Sequence, residues 1–178
     1  MSTDLWLAVL SSSLLSGIVG ASIAGWFTLR SKRNEYVNEY YKAVLARRMS
    51  AYEEIERLIT MLKSAVLDDD QRPYHLLFSK DDDHQEVFKL MFVVMSNALW
   101  LTDDLFAETR KLNVLIYSDG GSESGLIEFG KRHYTTIADL RTQLEKLHAR
   151  DMLKLHNVPQ FLKSKRPSDS YAPIERRG

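Results

Sequence analysis

The side chains able to do chemistry are five histidines, two aspartate triplets and a few paired basic residues, since the chain has no cysteine. His75, His84, His133, His148 and His156 show no HExxH spacing and no companion ligand four positions on, so the zinc-protease pattern is absent. The triplets Asp68–Asp70 and Asp81–Asp83 are runs of consecutive carboxylates beside Pro73. A calcium loop needs oxygen ligands at alternating positions around a central glycine, so these triplets read as a solvated connector and a helix cap. The second Glu-x-x-His copy that carboxylate iron bundles need beside Glu145–His148 is missing, as is GxSxG, and Gly120-Gly121 lacks the lysine that must follow a phosphate-cradling glycine loop. The reading is therefore of no enzyme, no cofactor and no metal.

Basic groups are the remaining lead. Arg47 and Arg48 on one predicted helix, and Lys131 and Arg132 on another, are candidate contacts for a small phosphate-containing ligand that they would meet in an oligomer, because guanidinium forks match phosphate oxygens. Arg48 occupies a slot of an apolar stripe, where the expectation is snorkelling or pairing with an acid on a neighbouring helix.

Positioning these groups falls to an uncharged stretch, residues 5–29, LWLAVLSSSLLSGIVGASIAGWFTL, with Asp4 before it and Arg30, Lys32 and Arg33 after it. As a helix it is roughly 37 Å long, sufficient to cross a hydrocarbon core of about 30 Å. Trp6 and Trp26 fall where the two interfacial belts would lie. Basic residues only on the C-terminal side place the N-terminus outside and the rest in the cytoplasm, at the inner membrane if the source is bacterial. A cleaved signal would need a basic leading region and a shorter apolar core. Ser13, Gly17, Ala21 and Gly25 recur every fourth position, with Ser16, Gly20 and Ala24 beside them. Such rows let helix backbones approach closely in lipid, so the span is expected to pack in a homo-oligomer or against a partner span.

The expected domains are an anchor, 1–29, a cytoplasmic helical bundle, 30–159, and a flexible basic tail, 160–178. No proline or glycine occurs between Trp26 and Pro73, so the first helix can run from the span to about residue 67. Val37, Tyr41, Val44, Tyr52, Ile55, Ile59, Leu62 and Val66 give it a stripe at steps of three and four. Asp83 and Glu86 have capping-box spacing, so a second helix starts near His84 and continues through the apolar run Val87–Leu101 to Asp119. Fifteen residues, of which only Lys89, Ser96 and Asn97 are polar, are short for a second span, so this run is expected in the bundle core. Gly120 suits a C-cap and Ser122 or Ser124 the next N-cap. A third helix then carries Phe129, His133, Ile137, Leu140, Leu144 and Leu147 over about 126–156, and Pro159 ends it. The fold class is all-α: one transmembrane helix and a bundle of about three antiparallel helices, the first continuous with the span.

Lysine plus arginine equals aspartate plus glutamate at 24 each, which argues against bulk nucleic-acid binding. Positive charge gathers next to the anchor, with 8 basic and 5 acidic residues in 30–67. Membrane lipids are the implied partner. Two functions fit: a membrane effector controlled by its cytoplasmic bundle, or an anchored scaffold that docks a protein partner. The first resembles small single-span effectors of bacterial antiviral defence in architecture alone.

Overall fold

The structure is a computed structural model that describes residues 3–79, 84–119 and 125–165, with backbone alone for residues 3–18, 84 and 119. The chain is mostly helical: α1 (Thr3–Lys63), α2 (His84–Ser96), α3 (Asp103–Asp119), α4 (Gly125–Arg132), α5 (Tyr134–Met152) and α6 (Val158–Ser164). A short hairpin, β1 (Ala65–Leu67) with β2 (Pro73–His75), and a single 3-10 turn (Leu76–Phe78) connect α1 to α2. Residues divide into two compact units, 1–43 and 44–178, to both of which α1 contributes.

In the first unit every residue from 19 to 36 is exposed, including Val19, Ile23, Trp26, Phe27 and Leu29. Among the described residues no helix is long and apolar enough to cross a membrane. Residues 5–18 of the uncharged stretch lie outside the described side chains.

The second unit is a helical bundle whose core forms on the face of α1 that carries Tyr52, Ile55, Ile59 and Leu62, joined by Ala51 and Leu58. Val87, Met91 and Val94 of α2, Leu105, Leu112 and Ile116 of α3, Phe129 of α4, and Ile137 and Leu144 of α5 close over it. Each such side chain, fully buried, stabilises the fold by about 1.5–3 kcal/mol. The helix α5 runs back along α1, since Tyr52 meets Asp151 and Lys63 meets Glu145. Phe88 of α2 stacks on Tyr117 of α3 with ring centroids 4.9 Å apart, so these two are also antiparallel.

The bundle departs from the expected three helices at each long segment. The expected second helix is two, α2 and α3, separated by residues 97–102. Ser96 Oγ and Asn97 Nδ2 both donate to the Val93 carbonyl, at 2.7 and 3.0 Å, which takes an acceptor from the helical ladder and turns the chain. The expected third helix, over about 126–156, is two, α4 and α5. His133 interrupts it between α4 and α5, and Pro159, expected to end a helix, sits in the first turn of α6, where a missing N–H costs nothing. Asn157 caps α6 by accepting from the Gln160 N–H at 3.4 Å. The basic tail expected from residue 160 therefore begins with an ordered helix, whose Val158 and Phe161 are buried.

The hairpin falls in the connector around Pro73. Asp68 Oδ1 accepts from the Arg72 N–H at 2.7 Å, and Gln71 takes a φ of 60° to close the turn. The cap pair Asp83 and Glu86 and the stop signals at Gly120, Ser122 and Ser124 fall on or beside residues outside the described set, so Asp83 and the 120–124 segment carry no structural account.

Candidate functional site

The most elaborate polar cluster lies where α1, α3, α5 and α6 meet. Arg48 is 2% exposed, on the buried side of α1. Its Nη1 donates to the Leu155 carbonyl at 2.8 Å, and its guanidinium lies 3.8 Å from the Phe161 ring centroid and 5.7 Å from that of Tyr52. It forms no ion pair among the described residues. The expectation of snorkelling or an acid partner is replaced by a carbonyl and two aromatic faces, with Nε left without a hydrogen-bond partner.

Beside it Asp151 is 4% exposed. Its Oδ2 accepts from the Tyr52 hydroxyl at 3.2 Å and from the Thr102 hydroxyl, and its Oδ1 from Arg150 Nε at 3.0 Å. Burial, and then the Asp151 charge, pushes the Tyr52 phenol above its ordinary pKa. Arg150 also reaches Asp104 at 3.0 Å, and Lys165 bridges Asp103 at 2.9 Å and the Ala98 carbonyl at 3.0 Å. These groups surround a cleft of about 330 Å³, with Arg48, Thr102, Asp151, Lys154, Asn157 and Ser164 among its lining.

The other predicted basic residues lie elsewhere. Arg47 is exposed on α1, 5.7 Å from the Trp100 ring centroid. Lys131 sits beyond the opposite end of α5, held at 2.7 Å by both Asp68 and Glu128, while Arg132 is exposed at the end of α4. The fold therefore splits the proposed Arg47, Arg48, Lys131 and Arg132 set within a chain. The hydrogen bond from Lys131 and the N–H of Arg72 hold the Asp68 carboxyl down at about 2.

Among the predicted membrane-facing residues, Trp26 is exposed, packs edge-on to Phe27 at 5.1 Å, and lies 5.2 Å from the Arg30 guanidinium. Lys32 and Arg33 are exposed, as are Gly20, Ala21 and Gly25. A Cβ added at Gly20 or Gly25 would meet nothing within 4 Å. Trp6, Ser13 and Gly17 lie outside the described side chains.

His75 is buried, stacks on Tyr134 at 4.6 Å, and its Nε2–H donates to the Tyr134 carbonyl at 3.2 Å. Burial lowers its pKa. No group of three or more His, Asp or Glu side chains is placed to hold a metal ion among the described residues.

Sequence reasoning singled out Arg48 but missed Asp151, Tyr52 and Phe161 as its neighbours. Asp151 lies one turn from the apolar position Leu147, which marks it as facing inward; nothing else in the sequence points to it. No protein-family model, no curated protein and no solved structure matches this chain.

Proposed function

We propose that this chain is a single-span membrane protein. Residues 5–29 anchor it with the N-terminus outside, and the bundle works in the cytoplasm. Copies associate through the face of Ser13, Gly17, Gly20, Ala21 and Gly25, so that the bundle acts on the membrane through the assembled spans. The observation that carries this reading is the unbroken exposure of residues 19–29, where Val19, Ile23, Trp26, Phe27 and Leu29 are 52–71% exposed. A contiguous apolar surface of this kind is not left to water; lipid or other copies of the chain cover it. The basic set Arg30, Lys32 and Arg33 just after it suits anionic headgroups.

The test is expression of the full chain with carbonate washing of the membranes and measurement of membrane potential. The wild type is expected to stay in the washed membranes and to depolarise the cells. The Gly17→Leu, Gly20→Leu double variant is expected to stay in the membrane without depolarising it. A chain recovered in the soluble fraction ends the reading.

A docking role is the second reading, favoured by Phe92 (59% exposed), Leu99 (60%) and Leu153 (79%) on the bundle. Under it, the full chain leaves membrane potential and growth unaffected, and a protein partner is lost on substitution of these three residues by serine.

A further inference from the structure

We propose that the cleft between α1, α3, α5 and α6 binds a small phosphate-bearing anion, seated between Arg48 at its floor and Lys154 at its rim. The inference stands whether or not residues 5–29 cross a bilayer.

Arg48 is the starting point. A guanidinium keeps its charge at any physiological pH and has five N–H donors. Burying one without an anion carries a large desolvation cost, and in a site built for packing alone an apolar side chain of similar volume serves better. Yet here the charge is 2% exposed, with one carbonyl at 2.8 Å, two ring faces, and Nε unsatisfied. The buried carboxylate beside it, Asp151, forms no ion pair with it among the described residues. Asp151 already accepts from Tyr52, Thr102 and Arg150.

The remaining charges around the cleft point the same way. Asp104 is engaged by Arg150 and Asp103 by Lys165. Lys154 lines the cleft, is exposed, and forms no ion pair among the described residues. Four cations, Arg48, Arg150, Lys154 and Lys165, thus meet three carboxylates, and Arg48, deep, and Lys154, shallow, are the two that pair with none of them. Thr102 and Ser164 are also in the lining, their hydroxyls donating to Asp151 and to the Phe161 carbonyl. A volume of about 330 Å³ is at the small end of ligand sites, fitting a phosphate with a few attached carbons. Phosphate has the acceptor oxygens to take both a guanidinium edge and an ammonium.

A free metabolite and a lipid headgroup offer this same chemistry, and the test separates them. The full chain in detergent is titrated with inorganic phosphate and with glycerol phosphate at constant ionic strength, with chloride as the control. In parallel, it is reconstituted in nanodiscs of phosphatidylcholine with and without phosphatidic acid. Calorimetry and thermal unfolding are read in each case. Saturable binding and a raised unfolding temperature are expected with phosphate compounds and not with chloride. Lys154→Gln, at an exposed position, is expected to fold normally and weaken binding about tenfold. Arg48→Lys, which keeps the charge but loses the planar fork, is expected to weaken it further. A response confined to phosphatidic acid, and lost in Lys154→Gln, identifies the headgroup as the ligand. No response to any phosphate in either setting overturns the proposal. So does binding that Lys154→Gln leaves unchanged, whatever becomes of the folding of Arg48→Lys.

Discussion

The guanidinium of Arg48 lies 3.8 Å from the centre of the Phe161 ring, and this stacking ties α6 to the helix that opens the bundle. Phe161 is 5% exposed, so its removal leaves both a void and an uncovered cation. Phe161→Ala is expected to cost about 3–5 kcal/mol. Urea unfolding measures the loss, and limited proteolysis should cut within 158–165 in the variant before the rest of the bundle is touched. Equal protease resistance in both proteins would show that α6 is held by something else.

Asp151 gathers two hydroxyls and a guanidinium at a buried position. In Asp151→Asn the amide oxygen can keep Tyr52 and Thr102, but its NH₂ then faces Arg150, a donor against a donor. A loss of about 1–2 kcal/mol is expected. Asp151→Ala strands both hydroxyls and should lose about 2–4 kcal/mol. Chemical denaturation of the two variants checks the order, and a larger loss for asparagine would contradict it.

Stability should fall with acid in two separate windows. His75 is buried and its pKa is lowered, so it takes up a proton more readily in the unfolded chain. Its contribution is complete above its ordinary pKa of about 6.5 and declines as the pH drops below that. Asp68 is held down at about 2 by Lys131 and the Arg72 N–H, so its contribution declines only between roughly 4 and 2. Denaturation midpoints at pH 7.5, 5.5 and 3 read both steps. His75→Gln should flatten the upper step and Asp68→Asn the lower one.

Gly130 and the glycines Gly20 and Gly25 make opposite predictions. A Cβ at Gly130 would lie 3.1 Å from the Phe78 Cβ and 3.2 Å from its ring, both inside the core. Gly130→Ala should lower stability by about 1–3 kcal/mol through overpacking. Gly20→Ala and Gly25→Ala meet nothing within 4 Å in the same chain, and should leave thermal unfolding of the bundle unchanged. Calorimetric scans of the three variants decide this.

Helical content was legible because the 3.6-residue spacing survives over long segments. Val44, Tyr52, Ile55, Ile59 and Leu62 fall on the predicted stripe and are buried. Val37 and Tyr41, predicted on the same stripe, are only half-buried, in the first unit. Periodicity reports a face, not whether another helix covers it. The break after Ser96 escaped detection because it uses no proline or glycine; two short polar side chains turning back on one carbonyl do the work. The β1–β2 hairpin escaped because three-residue strands carry too little alternation to register, and its turn is closed by Asp68, which composition marks only as acidic. For the cluster around Arg48, the sequence gives away an arginine in an apolar slot. Of its neighbours, Tyr52 is one turn on, but the carbonyl acceptor Leu155 lies 107 residues away and Phe161 further still, and a single sequence does not record that pairing.

The long reach of those contacts has a consequence for biosynthesis. Arg48 emerges from the ribosome early, yet its carbonyl acceptor at Leu155 and its aromatic cover at Phe161 are among the last parts of the bundle to be made. During most of translation a charged side chain stands amid bare apolar surface, without the groups that later enclose it. A nascent chain stalled short of residue 155 thus leaves that charge open to chaperones and proteases, and the docking of α6 is the step that closes over it.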